Sequence, residues 1–323
     1  MDKKKKSQWK AWLYLLPAII LLLIFTVWPI INTIRMSMLV GFNSSQAAYR
    51  NFKFGFGNFK NVITSGYISK GKYDSYGFMP ALGNTLLLTV LTVPISTMLA
   101  LLIAVALNSI KFLKKIFQTI FFLPYVTNTI AVGMVFMAMF SMMEPLNGGG
   151  YGSYGLMNSI IKAFGGKPIN WANDGLQGIP VNHAANIAML TVYIVWNALP
   201  FKILVLLGGL QSVNTQYYDA AKIDGTSRFR TFWRITVPLL SPMIAYVVIT
   251  GFIGGFKEYS SVLGVFGKNM GPKDNELNTV VGYIVDNIAN DQGKASAGAL
   301  ILFAIIFIIT MINLYVSKKK VHY

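Results

Sequence analysis

Cysteine is absent from this chain of 323 residues, and charged residues make up only 12% of it. The first absence excludes disulfides, thiolate metal sites and a lipid-anchoring cysteine. The second excludes an ordinary soluble domain, in which about 25% of residues are charged. Only two histidines occur, far apart at His183 and His322, and no Gly-x-x-x-x-Gly-Lys-Ser/Thr phosphate-binding loop is present. We therefore expect neither a histidine metal site nor hydrolysis of ATP by this chain.

Long apolar runs with few or no charged residues recur along the chain. A helix needs about 20 apolar residues to cross a bilayer. Six runs reach that length, at residues 12–40, 82–108, 116–143, 185–209, 235–256 and 297–317. The first run is too long for the apolar region of a signal peptide and lacks a small-residue cleavage site. The sequence predicts an all-α polytopic membrane protein with six transmembrane helices.

The net charge of +17 indicates contact with anionic lipid rather than nucleic acid, because the basic residues lie between the apolar runs and not together on one soluble domain. Dense basic clusters flank alternate ends of the predicted spans, at residues 3–6, 10, 111–115, 222–234 and 318–320. The positive-inside rule then places both termini and the segment 211–238 in the cytoplasm. Residues 1–10 are predicted to be a basic cytoplasmic N-terminus and residues 11–323 one six-span domain. The outer loops, at residues 41–80, 144–184 and 257–296, are docking surfaces or solvated connectors.

The stretch 218–238 is basic and semi-polar, and it lies between two long apolar runs. It resembles the "EAA" loop of ABC importer permeases, which forms a cytoplasmic helical hook that docks into a separate ATPase subunit. The matching positions are Asp219, Ala220, Ala221, Gly225, Ile235 and Pro238. Two positions depart from the family pattern, since Asp219 replaces the usual Glu and Val237 the usual Leu.

These residue types suit a short helix with a defined end. Asp219 near a helix start is favoured by the helix dipole, and Gly225 supplies the left-handed residue that ends a helix. A second short amphipathic helix is expected to follow, with Phe229, Phe232 and Trp233 on one side. On physical grounds alone, an ordinary helix at the lipid interface fits these residues too.

The resemblance covers nearly the whole chain. Pro17, Trp28-Pro29, Gly83-Asn84-Thr85, Phe122-Leu123-Pro124-Tyr125 and Trp196…Pro200 look like motifs of carbohydrate-uptake permeases, as does the segment 158–171. The chain is most similar to the first of the two permease subunits of such importers. The resemblance implies the type I ABC importer permease fold in a bacterial cytoplasmic membrane. The implied partners are a second permease, an ATPase dimer that binds ATP and Mg²⁺, and an extracytoplasmic sugar-binding protein.

Matching the maltose-type permease motif by motif implies the substrate residues Tyr125, Thr129, Trp196, Phe201, Gly251, Gly255 and Glu258. Several of them have alternative explanations. Tyr125 also suits an interface belt, Trp196 suits packing, and the two glycines suit close helix contact. Asn128 and Asn197 suit hydrogen bonds to neighbouring helices. Lys202 is either a functional intramembrane cation or a side chain that extends to the head groups.

Gly255 and Glu258 stand where the maltose permease has asparagines, which puts maltose itself in doubt. A superfamily permease for a polyol or glycerol phosphate is an alternative, although a phosphate calls for convergent cations and only Lys202 is available. A secondary transporter needs ion-coupling carboxylates in mid-span, and none is found there. A membrane-embedded enzyme needs a catalytic cluster, and none is apparent.

Overall fold

A computed structural model of the chain describes residues 2–46, 52–65, 77–110, 114–142, 154–172, 182–271 and 276–320. The predicted outer loops and the basic residue Lys111 lie partly or wholly outside these ranges. The helices, in chain order, are α1 (Asp2–Leu22), α2 (Trp28–Ser37), α3 (Gly57–Thr64), α4 (Phe78–Ser109), α5 (Lys114–Val126), α6 (Thr129–Phe140), α7 (Leu156–Ala163), α8 (His183–Ser212), α9 (Gln216–Ile223), α10 (Arg228–Thr231), α11 (Val237–Leu239), α12 (Ser241–Phe256), α13 (Ser260–Phe266), α14 (Val280–Ile288) and α15 (Gln292–Lys320).

Shorter elements connect them. Two π-helical segments, Leu23–Val27 and Phe232–Thr236, join α1 to α2 and α10 to α11. One-turn 3₁₀ helices occupy Ser44–Gln46 and Gly267–Asn269. The strands β1 (Leu39–Val40) and β2 (Lys53–Phe54) form one antiparallel pair. Helices therefore dominate the described residues, as the all-α prediction requires.

Four helical stretches are long and apolar enough to cross a membrane on their own: Trp12–Ser37, Phe78–Ser109, His183–Ser212 and Gln292–Ser317. Two further pairs of helices are long and apolar enough only when each pair is taken together, and each pair is bent at a short break. Ile116–Val126 and Thr129–Phe140 meet at 102°, and Arg228–Leu239 and Ser241–Phe256 meet at 69°. The six-span prediction is confirmed if each bent pair counts as one span. Its third and fifth spans are not straight, which hydropathy alone does not indicate.

The described residues divide into two compact units. One is drawn from Met1–Ser65 and Tyr283–Phe303. Within it, Asn58 is only 1% exposed and donates hydrogen bonds to the carbonyls of Ser37 at 2.9 Å and Leu39 at 2.8 Å. Asn43 donates to the carbonyls of Ala289 and Asn290 at 3.2 and 3.0 Å. Asn58 thus satisfies carbonyl groups at the end of the first span, and Asn43 satisfies carbonyl groups just after α14.

The second unit is drawn from Gly66–Gly282 and Ala304–Tyr323. Helices α4 and α8 pack along each other and form its centre, with α12 and α13 against them. Two buried apolar clusters fill the spaces between these helices. One surrounds Met189, Leu190 and Tyr193 of α8, and the other surrounds Ile203 and Leu206 further along the same helix.

Helices α6 and α13 cross at two glycines. A Cβ atom at Gly133 would lie 2.6 Å from the carbonyl carbon of Gly264 and 2.7 Å from its Cα. Small residues allow this approach, and close van der Waals contact is a main source of helix association in lipid. The Tyr193 hydroxyl donates to the carbonyl of Thr129 at the first residue of α6. The crossing therefore fixes the second half of the bent third span against α8 and α13.

Two motifs noted in the sequence connect distant segments in this unit. Asn84 donates to the carbonyls of Glu276 and Asn278 at 2.9 and 3.0 Å, and Thr85 Oγ1 accepts from Val280 N at 3.0 Å. In the segment 158–171, the carbonyl oxygen of the Asn158 side chain accepts from Ile169 N at 2.9 Å and from Trp171 Nε1 at 3.2 Å. Both motifs act structurally, because their side chains satisfy backbone and indole groups of loops.

Candidate functional site

A polar cavity of about 240 Å³ lies between α4, α8 and α12 in the second unit. Its walls combine hydroxyl, amide and charged side chains with glycines, one aromatic ring and the apolar side chains of Val93, Ile194 and Ala198. They include Thr92, Ser96, Asn197, Phe201, Lys202, Thr250, Gly251, Gly255 and Glu258. We call this space the polar cavity. It lies among membrane-length helices, where polar side chains usually face a bundle interior or an aqueous path.

The glycines of α12 let the other helices approach this cavity. A Cβ at Gly255 would lie 2.7 Å from the Thr89 hydroxyl and methyl groups of α4. A Cβ at Gly251 would lie 3.1 Å from Val93 and 3.2 Å from Lys202 Nζ. Both glycines thus allow close helix contact and, at the same time, line the cavity. The two explanations that the sequence left open for them are compatible.

Lys202 is buried in the cavity wall and is only 4% exposed. Its Nζ donates to Val93 O at 3.2 Å, Ser96 Oγ at 2.6 Å and Thr97 Oγ1 at 2.9 Å. A lysine ammonium has three N–H groups, so these acceptors use all of them. No carboxylate of a described residue forms an ion pair with it. Of the two alternatives for Lys202, the structure favours the buried intramembrane cation over a side chain that extends to the head groups, because its ammonium group is held between α4 and α8.

Glu258 lies in the short connection between the end of α12 at Phe256 and the start of α13 at Ser260. Its Oε1 accepts from the backbone amides of Tyr259 and Ser261, each at 3.0 Å. A carboxylate at this position satisfies amides at the start of a helix that have no partner within it. Glu258 forms no ion pair with the neighbouring Lys257 in the described residues. One of its oxygens is thus engaged structurally while the residue lines the cavity.

An aromatic row continues from the cavity. Tyr125 of α5 stacks on Phe201 with ring centroids 6.4 Å apart and an angle of 18° between the rings. Phe201 in turn lies 6.4 Å from Tyr246 of α12. Tyr125 is 65% and Tyr246 48% exposed, so their faces are open for contact. Such faces suit the apolar surfaces of a sugar ring.

The predicted substrate residues do not all meet in one place. Phe201, Gly251, Gly255 and Glu258 line the polar cavity, and Tyr125 joins it through Phe201. Thr129 does not line it, and its carbonyl accepts from Tyr193. Trp196 lines a different cavity of about 350 Å³ with Pro124 and Thr127. The structure thus brings five of the seven residues together and places Thr129 and Trp196 elsewhere, and a role of any of them in substrate binding stays a prediction.

The sequence interpretation missed other cavity residues. Thr92 and Ser96 come from α4, a span in which no substrate residue was expected, and Thr250 belongs to α12. All three are hydroxyl residues on spans, and this was the signal in the sequence that could have found them. Asn128 was expected to bond a neighbouring helix, and this was wrong. Its side chain accepts from the amides of Ile130 and Ala131 at 2.9 and 3.3 Å and caps α6.

The second candidate site is the short helix α9, between the fourth span and the bent fifth span. Asp219 lies in its first turn. Gly225 has a φ of +67°, so the predicted left-handed residue is confirmed. Gly225 N donates to Lys222 O at 3.1 Å, and Thr226 N to Ala221 O at 2.9 Å. This pair of hydrogen bonds is a Schellman motif, which ends a helix sharply.

Apolar side chains are exposed on α9 and just beyond its end. Ala220 is exposed, whereas Ala221 is 6% exposed and packs within the chain. Ile223 is 87% and Phe229 75% exposed, so two large apolar side chains project next to the helix end. Ile235 and Pro238 lie beyond, in the π segment and α11. The predicted second short helix is present at Arg228–Leu239, with α10, the π segment and α11 following one another without a break.

The hydrogen bonds of Lys202 lead to a stability prediction. Replacing Thr97 by valine removes one acceptor from a buried ammonium group. Hydrogen bonds to charged groups contribute about 1.5–3 kcal/mol, so we expect a clearly lower thermal midpoint in detergent. Adding Lys202→Met should recover most of this loss, because no buried ammonium group is then left with an N–H that lacks an acceptor.

Thr89→Val is the matched control for that prediction. Thr89 lies on the same helix, is buried, and donates to the carbonyl of Thr85 at 2.6 Å, but it has no hydrogen bond to the lysine. Adding Lys202→Met to Thr89→Val should recover nothing. Equal recovery in both backgrounds would show that the lysine is not coupled to Thr97.

Comparison with known proteins gives a consistent result. Residues 80–322 match the model of a family described as "binding-protein-dependent transport system inner membrane component". The multiple sugar-binding transport system permease protein MsmF of Streptococcus mutans is 30% identical, and the alignment covers 98% of each chain. The arabinooligosaccharides transport system permease protein AraP of Bacillus subtilis is 29% identical over 95% of this chain and 88% of its own.

A solved structure supports the fold. A chain of a bacterial ABC transporter involved in the import of the acidic polysaccharide alginate superposes with a TM-score of 0.74. The alignment covers 98% of both chains at 21% sequence identity. At this identity the likeness is one of fold, and it agrees with the type I importer permease architecture expected from the sequence.

Proposed function

Because the chain belongs to the family of binding-protein-dependent transport system inner membrane components, we propose that it is a permease subunit of an ATP-driven importer for a sugar or oligosaccharide. It is a multi-pass membrane protein and a transport subunit, not an enzyme. The relatives MsmF and AraP, whose names specify sugar and arabinooligosaccharide transport, match it along nearly its whole length. In this proposal the chain forms half of the translocation pathway.

The geometry of α9 is the observation that carries this proposal. A short exposed helix with a sharp glycine-defined end stands between two spans and presents Ala220 and Ile223 outward. A small residue lets another protein's backbone approach, and an exposed apolar side chain gives that contact energy. We propose that Asp219, Ala220, Ala221, Gly225, Ile235 and Pro238 form or position the contact with a separate ATPase. That partner would bind ATP and Mg²⁺.

The polar cavity supports a two-subunit pathway. Its volume of about 240 Å³ is below the roughly 300–1,000 Å³ of complete ligand pockets. A second, homologous permease facing it would enlarge and close the site. A solved alginate ABC transporter has been described in complex with an alginate pentasaccharide-bound periplasmic protein. By analogy, an extracytoplasmic sugar-binding protein would deliver substrate to this chain and its partner.

Orientation in a bacterial cytoplasmic membrane follows from the charge distribution. Residues 1–10 and 318–320 and the segment 211–238 are basic, and such clusters remain on the cytoplasmic side. Both termini and α9 would then face the cytoplasm. This placement is the one in which α9 is accessible to an ATPase.

A sugar suits the cavity better than a phosphorylated solute does. Lys202 is the one cation among the lining residues, and its three N–H groups already have acceptors in the protein. A phosphate would need several free donors or cations. Ser96 and Thr250 donate their hydroxyl protons within their own helices, so they offer oxygens that accept from sugar hydroxyls. Together with Thr92 and the aromatic row, they fit a polyhydroxylated ring instead.

Phe201 is the centre of that row, and its replacement tests the substrate assignment. We expect Phe201→Ala to weaken substrate uptake about two- to thirteenfold, because an aromatic contact contributes about 0.5–1.5 kcal/mol beyond buried area. The measurement is the concentration dependence of uptake by the complete importer. Leu204→Ala, on the same helix but outside the cavity lining, should leave it unchanged. Equal losses in both variants would remove Phe201 from the pathway.

Co-purification tests the proposal as a whole. The tagged chain is purified from native membranes in mild detergent, and the accompanying proteins are identified. An ATPase together with a second six-span permease is the expected result. The accompanying binding protein is then screened for its sugar. A chain that purifies alone and transports when reconstituted alone would instead be a secondary transporter.

A further inference from the structure

A second cavity, of about 500 Å³, lies where α9 meets the ends of α4 and α8. Its lining includes two cations, Lys222 and Arg228, and among the described lining residues none is acidic. We call it the basic cavity. It shares no residue with the polar cavity, and the proposed transport function assigns it no role.

The lining changes from charged side chains at the mouth of the cavity to mostly apolar side chains in its interior. The Lys222 side chain is 77% exposed and Arg228 is exposed, so both cations stand at the mouth. Thr236 and Leu210 are each only 4% exposed and belong to the interior. Val105 and Phe232 add further apolar surface. A ligand that fills such a space needs an anionic head and an apolar tail.

Hydroxyl groups lie between these two regions. Thr226 forms no hydrogen bond through its side chain to a described residue, and the Tyr218 hydroxyl lies 3.4 Å from Thr236 Oγ1, a long contact. These groups retain donors for the oxygens of a phosphate. Lys222 is paired with Asp219 at 2.9 Å, but both side chains are largely exposed. Exposed pairs of this kind contribute little, so the lysine can turn to another anion.

From this arrangement we propose that the basic cavity binds the head group of an anionic phospholipid, with Lys222 and Arg228 on the phosphate and the acyl chains along Val105 and Phe232. Basic pockets between membrane helices are suited to anionic head groups. The cavity's residues come from α4, α8, α9 and the segment 228–236. A lipid bound here would therefore connect α9 to the spans that carry the polar cavity.

The test uses the full-length chain purified from native membranes with whatever chains accompany it, so it does not depend on the proposed transport function. After removal of bound lipid, phosphatidylglycerol and phosphatidylcholine of equal acyl length are titrated in detergent and retained lipid is counted by native mass spectrometry. We expect the wild type to prefer phosphatidylglycerol. Each basic residue contributes about fivefold near an anionic head group, so Lys222→Gln with Arg228→Gln should weaken this binding roughly 30-fold.

Arg230→Gln with Arg234→Gln is the matched control, because it removes the same charge from the same segment outside the cavity lining. It should change phosphatidylglycerol binding by no more than about twofold, since screened charges away from the ligand matter little. Equal losses in the two double variants would overturn the proposal in favour of general surface charge.

A third variant and a competitor locate the site. Ser109→Trp places bulk in the cavity without changing charge, and it should also abolish the preference for phosphatidylglycerol. Retained binding in this variant would overturn the location. Inorganic phosphate is added in a separate arm. If it alone binds in a manner that depends on Lys222 and Arg228, while phosphatidylglycerol does not, the cavity takes a free anion and the lipid proposal fails.

Discussion

Replacing Gly225 by valine is expected to abolish uptake while the protein stays in the membrane. The residue has a φ of +67°, and no atom would lie within 4 Å of an added Cβ, so the obstacle is backbone conformation rather than space. A β-branched residue in this region is strained by about 1–3 kcal/mol. The equilibrium constant for forming the native end of α9 then falls about 5- to 150-fold. Uptake by the complete importer and the amount of membrane-inserted protein are measured side by side.

Two further variants separate the conformational cause from others. Asparagine tolerates the left-handed region, so Gly225→Asn should retain most of the uptake. Gly165 has a φ of +78° and equally open surroundings, so Gly165→Val applies the same strain far along the chain from α9. It should leave uptake nearly intact. If Gly225→Val transports normally, the contact with an ATPase does not depend on this helix end.

Replacing Gly133 by alanine is expected to lower the stability of the whole second unit. Its Cβ would meet the backbone of Gly264 at 2.6–2.7 Å, and backbone atoms do not move aside as a flexible side chain does. Overpacking typically costs about 1–3 kcal/mol and sometimes more. Helices α6 and α13 must separate, which also disturbs the hydrogen bond from Tyr193 to Thr129. Thermal unfolding in detergent and the yield of folded protein measure this effect.

Gly208→Ala is the counterpart to that variant. Gly208 also lies inside a membrane-length helix, but no atom would lie within 4 Å of its Cβ. Alanine is favoured over glycine in a helix by up to about 1 kcal/mol, so this variant should unfold at the same or a slightly higher temperature. An unchanged midpoint for Gly133→Ala would show that the two helices do not cross as closely as described.

The sequence predicted features that depend on neighbouring residues. Six apolar runs of sufficient length gave the spans, and Gly225 with Asp219 gave a short helix and its end. Such features are decided locally, by hydropathy and by backbone preference. The bends were not predicted, because the hydropathy of a run does not report its direction. Asn128 carried a signal for one of them, since a side-chain cap begins a new helix there.

The site depends on residues that are distant in sequence, and here prediction was incomplete. Lys202 was singled out as an intramembrane cation, but its acceptors Ser96 and Thr97 lie more than 100 residues earlier. Their pairing depends on how α4 packs on α8. Trp196 matched a family motif next to Pro200, yet it turns toward Phe136 at 5.4 Å between ring centroids rather than toward the polar cavity. A motif fixes a position along a helix, whereas packing decides which side chain faces a ligand.

The π segments Leu23–Val27 and Phe232–Thr236 each form hydrogen bonds from residue i to i+5. Such a turn contains one residue more than an α-helical turn. A relative with an ordinary α-helix at either place would align with this chain across a single-residue gap, inside a helix rather than in a loop. Before and after that gap, aligned residues of the two proteins would still lie on the same face of the helix. In a family alignment, gaps at residues 23–27 and 232–236 therefore mark changes of helix type and not losses of structure.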